Sequence, residues 1–203
     1  MPLTVWPTDP RLGTSQLYGV NPTAFLPSWH PTIIEYGNYQ PHGHDGIDIP
    51  CPMRTPVALA GGGKLDFAGD GRNMPDWVAI KYGFSTDPAA KWASGVISCF
   101  DHGDGTGTYY AHKDESWLDA LVGQWFAAGT VMGLSGNSGR SGGPHVHFSL
   151  VTFPIDYSDG MYSRKDPLAY FSTPYVIPIG AGSIGAPSSP TDDPFMLELI
   201  GSR

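Results

Sequence analysis

The chain has 203 residues, which is enough for one domain with a hydrophobic core and short for two average domains. It combines 27 glycines and 20 prolines with 40% hydrophobic and 12% aromatic residues, which argues against disorder and is typical of short strands joined by many turns. The formal charge of −8 repels polyanions, so we expect no nucleic-acid partner.

The amino-terminal arm, residues 1–43, carries prolines at short intervals between tryptophans and tyrosines, and we predict an extended, turn-rich segment that wraps the body. From Gly46 onward, short β-type runs are bounded by Gly, Pro, Asn or Asp. This pattern predicts an all-β domain with minor helix, built as a compact and mostly antiparallel sheet. The predicted strands are 57–60, 64–68, 77–82, 96–101, 108–112, 131–135 and 146–152.

One helix of two turns is predicted over 114–122, because it has an acidic first turn and Gly123 follows it. Residues 70–95 mix Gly, Pro, Asp and Trp and are interpreted as a surface excursion inserted in the sheet. We assign 1–178 to one domain that includes the arm. Residues 179–203 form a carboxy-terminal tail whose Gly, Pro and Ser content is that of a linker.

Only two cysteines are present, Cys51 and Cys99, and they lack Cys-x-x-Cys spacing. They can form neither a cysteine-rich zinc site nor a disulfide framework. We favour two buried small side chains, with a single disulfide between them left open. The amino terminus has no signal-peptide pattern, and no run of about 18 apolar residues is found, so we expect no membrane insertion.

The histidines are clustered, since six of the seven lie in three short segments. Zinc takes imidazole and carboxylate ligands, and hydrolytic sites keep one position open for water. On a strand, His145 and His147 would share one face about 6.6 Å apart, so one could bind a metal while the other faces the water. His44 and Asp48 would lie about 13 Å apart on an extended chain. The chain must therefore bend between them, and Gly46 permits this.

These segments match a known family. The motifs are His44-x-Gly46-x-Asp48, then Thr55-Pro56-Val57, His102-Gly103-Asp104-Gly105, Tyr110-Ala111-His112, and the run from Gly136 to Phe148 with His145-Val146-His147. These motifs, in this order, resemble those of the LytM/lysostaphin-type zinc metallopeptidases, which are peptidoglycan endopeptidases of the M23 class. The resemblance covers about residues 17–152. It implies a compact antiparallel β fold of the duplicated hybrid motif type, with an open substrate groove.

The resemblance also implies roles for five side chains. His44, Asp48 and His147 would bind a Zn²⁺ ion, and His112 and His145 would form the catalytic pair. Zinc with two imidazoles and one carboxylate lowers the pKa of a bound water towards about 7. One histidine would accept the proton of that water, and the other would stabilise the oxyanion or protonate the leaving amine. The sequence leaves this division open.

Three neighbouring polar residues receive structural interpretations. Asp45 lies between two predicted ligands, and we predict a carboxylate that is solvated or that supports a ligand without touching the metal. His102 is interpreted as a turn histidine. His42 precedes the motif and is not expected to bind the metal.

The expected function is zinc-dependent hydrolysis of peptide cross-links in bacterial peptidoglycan by a monomer. We expect a bacteriophage endolysin that is made in the host cytoplasm and reaches the wall after holin-type release. The alternatives are a virion-associated peptidase that punctures the wall and a catalytically inactive wall-binding or regulatory module. The sequence does not decide whether an oligoglycine bridge or a D-alanyl cross-link to a diamino acid is cleaved.

Overall fold

The structure is a computed structural model that describes residues 3–21, 27–30, 33–34 and 42–172. The predicted tail, 179–203, and several residues of the predicted arm lie outside these ranges. Among the residues described, no helix is long and apolar enough to span a bilayer.

Between residues 42 and 172, all of which are described, the chain forms nine strands and two short α-helices. The strands are β1 Ile47–Pro50, β2 Pro56–Ala58, β3 Gly63–Asp70, β4 Val96–Asp101, β5 Thr106–Ser116, β6 Trp125–Phe126, β7 Val131–Ser135, β8 His145–Thr152 and β9 Arg164–Lys165. The helices are α1 Asp76–Lys81 and α2 Pro88–Lys91. Single 3₁₀ turns occur at Pro10–Leu12, Gly71–Asn73, Trp92–Ser94, Asp119–Leu121 and Pro167–Tyr170.

The strands form one sheet in which every pair of neighbours is antiparallel. The main path runs β1-β8-β5-β4-β3-β6, while β7 joins β2 to β5 and β9 adds to β8. The predicted fold class is confirmed. Six of the seven predicted strands are present, although β1, β6 and β9 were not predicted.

Apolar side chains are buried on both faces of the sheet. Tyr110 and Phe148 belong to the larger cluster, together with Ile47 and Ile49 of β1. Tyr109, the neighbour of Tyr110 on β5, belongs to a second cluster that includes residues of α1. Because successive side chains of a strand point to opposite faces, the two clusters lie on opposite sides of β5. The sheet is therefore covered on both faces.

The strand predicted over 77–82 is wrong, because this segment forms α1. Pro75 precedes the helix and Asp76 lies in its first turn, which favours a helix start. The buried side chains are Val78, Ala79 and Tyr82, whereas Trp77 and Ile80 are exposed. This spacing is that of one helix face, and a short apolar run does not distinguish it from a strand.

The helix predicted over 114–122 is also wrong. Its first three residues continue β5, where Glu115 pairs with Leu134 and Ser116 pairs with Gly133 of β7. Only Asp119–Leu121 is helical, as one 3₁₀ turn. Pairing with β7 extends the strand through residues whose local sequence favours a helix start, so tertiary contacts override the local preference.

The two cysteines are free and buried. Cys51 belongs to the larger apolar cluster and Cys99 to the second cluster, so they lie on different faces of the sheet. Burial raises the pKa of Cys51 to about 11. The predicted use of both cysteines as small buried side chains is confirmed, and no disulfide joins them.

Lys113 is an unusual member of the interior, because its side chain is fully buried in β5. Its ammonium group donates a hydrogen bond to the Ser98 hydroxyl, and no carboxylate forms an ion pair with it among the described residues. Burial lowers the pKa of Lys113 to about 7. The folded protein thus binds this proton less tightly than the unfolded chain does.

We predict that Lys113→Met stabilises the protein at pH 7 by at least about 1 kcal/mol, because a buried polar group with a single partner is replaced by an apolar one of similar size. The folded pKa is depressed, so the wild-type protein gains stability as pH rises from about 7 towards the ordinary lysine value. The difference in melting temperature between variant and wild type should therefore shrink over that range. A difference that grows with pH would contradict this account.

Candidate active site

Strand pairing brings the predicted metal ligands together. In the β1–β8 ladder Asp48 lies directly opposite His147, and in the β5–β8 ladder Ala111 lies opposite the same histidine. Val146 and Phe148 on either side of His147 point into the larger apolar cluster. The alternation along β8 therefore directs His145 and His147 to the opposite face, as predicted.

His44 reaches the site because the chain turns just before β1. The arm holds the backbone of His44 on both sides: its N–H donates to the Val20 carbonyl at 3.1 Å, and its carbonyl accepts from Gly19 at 2.8 Å. The chain then bends at Asp45 and Gly46 before β1 begins at Ile47. The predicted bend between His44 and Asp48 is confirmed.

Gly46 is required for a close approach in addition to the bend. A Cβ atom at this position would lie 2.5 Å from the Phe148 carbonyl oxygen and 2.9 Å from the His147 ring. No real side chain fits at such distances, so only glycine lets the bend pack against β8.

Three donor atoms converge in this part of the structure. His44 Nε2 lies 3.0 Å from His147 Nδ1 and 3.2 Å from Asp48 Oδ1. His147 Nδ1 lies 3.0 Å from the same carboxylate oxygen. Ligand atoms that bind one tetrahedral zinc ion at their usual bond lengths lie about 3.3 Å apart. The donor set and its spacing therefore fit a zinc ion.

Asp45 is a second carboxylate near His147, with Oδ1 3.5 Å from Nε2, the other ring nitrogen. A group formed by His44, Asp45 and His147 is looser, since its ligand atoms lie within 4.8 Å of one another. Asp45 is already paired with a cation, because Arg164 Nε lies 2.8 Å from Asp45 Oδ2. A metal ion beside Asp45 would be repelled by this guanidinium, so the donor set with Asp48 is the better cation site.

The electrostatics of the site favour an ionised Asp48. Burial alone would raise the pKa of Asp48, but hydrogen bonds with His147 and His44 outweigh burial and hold this pKa well below its usual range. Burial alone would lower the pKa of His147, and the carboxylates of Asp48 and Asp45 outweigh it in the opposite direction. The ionised Asp48, which has no cationic side chain paired with it in the described structure, thus supplies negative charge that attracts a cation.

His112 occupies a strained position at the point where β5 leaves β8 and joins β7. Its φ of 60° is in the left-handed region, which is uncommon for a non-glycine residue. Its Nδ1 lies 2.8 Å from the Ser138 carbonyl oxygen, which can only accept, so Nδ1 carries the proton. The Nε2 atom of the neutral ring is then unprotonated. Burial and the neighbouring His147 and His145 rings lower the pKa of His112 to about 4.

His145 is held in the same way. Its Nδ1 lies 2.8 Å from the Gly143 carbonyl oxygen, so this nitrogen also carries the proton. Its Nε2 atom lies 3.6 Å from Asp48 Oδ1. The rings of His112 and His145 have centroids 4.8 Å apart. The structure therefore places the two predicted catalytic histidines beside the three converging donor atoms.

The other motif histidines lie elsewhere. His102 is buried at the end of β4, where Nδ1 contacts the Gly62 carbonyl oxygen at 2.8 Å. The ring of His42 packs against Gly160. Neither belongs to the group around His147, in agreement with the interpretation of the sequence.

The sequence did not predict the side chains that contact Asp45 on the Nε2 side of His147. Arg164 lies on β9, and Tyr109 lies on β5 two residues before Ala111. Both contact Asp45, Tyr109 through a hydrogen bond of 2.9 Å from its hydroxyl. Arg164 is 120 residues away from His44 in sequence and belongs to no motif, so only the fold reveals it.

The antiparallel fold and the cluster of histidines and aspartate place this protein in the class of metallopeptidases. The sequence profile of Peptidase family M23 matches residues 42–157, and the chain belongs to this family. The resemblance drawn from the motifs is thereby confirmed.

Individual relatives agree with this assignment. The peptidoglycan DD-endopeptidase ShyA of Vibrio cholerae is 31% identical over 108 residues, which cover 53% of this chain and only 20% of that protein. The catalytic domain of lysostaphin from Staphylococcus simulans has a TM-score of 0.54 at 21% identity, covering 79% of this chain and 92% of that one. A zinc-containing peptidase from Vibrio cholerae has a TM-score of 0.51 at 23% identity, and the match covers 75% of this chain and 37% of that one. These two structural matches show the fold.

We predict that Gly46→Ala lowers the free energy of unfolding by about 1–3 kcal/mol, because the new Cβ collides with β8. Gly142→Ala is the matched control, since nothing lies within 4 Å of a Cβ there and the change should stay within about 0.5 kcal/mol. Thermal or denaturant unfolding measures both. Equal effects of the two substitutions would contradict the packing role of Gly46.

Proposed function

We propose that the protein is a zinc-dependent endopeptidase that hydrolyses peptide cross-links of bacterial peptidoglycan. The observation that carries this proposal is the triangle of donor atoms from His44, Asp48 and His147, whose sides measure 3.0–3.2 Å, with two further histidines beside it. A structural zinc site would use a fourth protein ligand, whereas a hydrolytic site leaves a position open.

His44 Nε2, Asp48 Oδ1 and His147 Nδ1 are the proposed metal ligands. When bound, zinc would polarise the scissile carbonyl and make a water molecule acidic enough to lose its proton near neutral pH. Asp48 stays ionised over the whole range of neutral pH, because its pKa is strongly depressed. It therefore needs no deprotonation before it binds the cation.

His145 is the proposed general base. Its Nδ1–H donates a hydrogen bond to the Gly143 carbonyl, so Nε2 is unprotonated and its lone pair can accept a proton from water. This Nε2 atom lies beside the donor triangle, at 3.6 Å from Asp48 Oδ1. The imidazolium so formed can pass the proton to the leaving amine.

His112 is proposed to stabilise the charge that develops on the substrate carbonyl oxygen or to assist the leaving amine. Both roles require a ring in a fixed orientation, and the contact between His112 Nδ1 and the Ser138 carbonyl provides it. Its pKa of about 4 keeps the ring neutral before substrate arrives. A neutral ring does not repel a metal cation beside it.

The substrate class is proposed from the family and from its relatives. ShyA is named for a peptidoglycan DD-endopeptidase activity, and lysostaphin for an antimicrobial peptidase activity. The sequence similarity to ShyA favours a D,D cross-link over an oligoglycine bridge as the bond cleaved. Mass spectrometry of fragments released from walls of both cross-link types would decide between them.

The biological setting stays a prediction. A bacteriophage lysin and a virion-associated peptidase would use the same five side chains and the same chemistry. The inactive module is disfavoured, because His44, Asp48, His112, His145 and His147 are all present and all gathered in one place.

We predict that chelation of the metal abolishes peptidoglycan hydrolysis and that added zinc restores it. His44→Ala, Asp48→Ala and His147→Ala should each lower the zinc content measured by atomic spectrometry, because each removes one of three ligands. Full activity of metal-free protein would overturn the proposed function.

The catalytic pair should behave differently. We predict that His112→Ala and His145→Ala keep one zinc per chain and lose about 100-fold or more in the rate of hydrolysis of a soluble muropeptide. Zinc content and rate are measured on the same preparations. Loss of zinc together with activity would assign that histidine to the metal ligands instead.

A further inference from the structure

We propose that Asp45 and Arg164 form a positioning pair that holds the His147 ring in the orientation needed to bind the metal. This inference rests on the proposed zinc site. It assigns a role to a carboxylate between two ligands and to an arginine outside the matched family region, 42–157.

The two ring nitrogens of His147 face different partners. Nδ1 faces His44 Nε2 and Asp48 Oδ1, both at 3.0 Å. If Nδ1 binds a metal, the ring proton must reside on Nε2. Nε2 faces Asp45 Oδ1 at 3.5 Å. A metal-binding histidine commonly directs its other N–H to a carboxylate, which fixes the ring and makes it a better ligand.

Asp45 is itself held by groups on three sides. Its Oδ2 atom forms an ion pair with Arg164, 2.8 Å from Nε, and accepts a hydrogen bond from the Tyr109 hydroxyl at 2.9 Å. The Nε–H of Arg164 in turn donates to the same Tyr109 hydroxyl at 2.9 Å. Its backbone carbonyl accepts from the Ser149 hydroxyl at 2.5 Å. The Tyr109 ring also stacks on the His147 ring, with centroids 5.6 Å apart. The carboxylate and the imidazole therefore share a common support.

Arg164 is buried, with only 4% of its side chain exposed, so its position is fixed by the surrounding structure. Its remaining nitrogens donate to the Met161 carbonyl at 3.4 Å and to the Gly83 carbonyl at 3.2 Å. Its guanidinium carbon lies 5.3 Å from the centre of the Phe84 ring and 5.7 Å from that of Tyr109. A buried cation of this kind needs a carboxylate partner, and Asp45 is the one that the described structure provides.

The charges also explain why Asp45 supports the metal without binding it. Arg164 balances the negative charge of Asp45, whereas the Asp48 carboxylate contacts imidazoles in the part of the chain that the structure describes. The metal site thus keeps a single ionised carboxylate as ligand, and the second carboxylate polarises His147 from behind. Loss of Arg164 would leave Asp45 free to rotate or to compete for the cation.

The test measures the zinc affinity of the full chain by competition with a chromophoric chelator, and the visible spectrum of the Co²⁺-substituted protein. Asp45→Ala should weaken zinc binding about 10–100-fold and alter the Co²⁺ spectrum. Asp45→Asn keeps an acceptor oxygen and should weaken zinc binding less than Asp45→Ala does. Arg164→Met should weaken binding in the wild-type background but add little to Asp45→Ala, because both act through one contact.

Controls separate positioning from folding. Asp70→Asn removes a partly exposed carboxylate that pairs with Arg72 away from the site, and zinc affinity should not change. If Arg164→Met fails to fold, Tyr109→Phe removes the hydroxyl that donates to Asp45 and accepts from Arg164 while keeping the stacked ring, and a weaker zinc affinity is expected. A structural role alone would lower the melting temperature of metal-free protein and leave zinc affinity unchanged.

Two results would overturn the inference. Wild-type zinc affinity and Co²⁺ spectrum in folded Asp45→Ala would show that Asp45 does not position His147. Complete loss of zinc, equal to that of Asp48→Ala, would make Asp45 a ligand. Absence of zinc binding in the wild-type protein would instead refute the proposed function itself, so the two failures are distinguishable.

Discussion

The site depends on the pairing of β8 with two strands at once. β1 pairs along one edge of β8 and β5 along the other, so His147 has Asp48 on one side and Ala111 on the other. Antiparallel pairing leaves no freedom in this register, because a shift by one residue would move every side chain of β8 to the opposite face. The apolar residues Val146, Phe148 and Leu150 prevent such a shift, since it would expose them. Burial of one face of β8 thus fixes the chemistry on the other.

This arrangement concentrates polar groups in a buried place, which is unfavourable unless each group has a partner. His44 and His147 are almost fully buried, and one nitrogen of each ring, Nε2 of His44 and Nδ1 of His147, faces the other ring and the Asp48 carboxylate. In a metal-free protein a proton must be shared among these groups. A divalent cation satisfies all three donors together, so the same geometry that is costly without metal is well suited to bind it.

The sequence predicts the residues of this site better than their surroundings. Spacing and alternation predict that His145 and His147 share a face and that the chain bends near Gly46, because both follow from backbone dimensions. The local sequence did not predict that 77–82 is helical, nor that β5 continues through Glu115 to pair with β7. These features depend on contacts between distant segments. The ion pair of Asp45 with Arg164 could not be predicted for the same reason, because the two residues are far apart along the chain.

The segment between β3 and β4 is more than a surface excursion, because it supports the site at two points. The Gly83 carbonyl accepts a hydrogen bond from Arg164, behind Asp45 and His147. The Ala93 carbonyl accepts from the backbone of Arg140 at 2.9 Å, in the loop that leads to His145. Ser138, whose carbonyl orients His112, also binds the Val96 N–H through its hydroxyl at 2.9 Å. The proton positions on the two proposed catalytic histidines are set by carbonyl groups of that loop, at Ser138 and Gly143. The inserted segment therefore packs against the loop whose carbonyl groups orient His112 and His145, and so links a region without motif residues to the proposed chemistry.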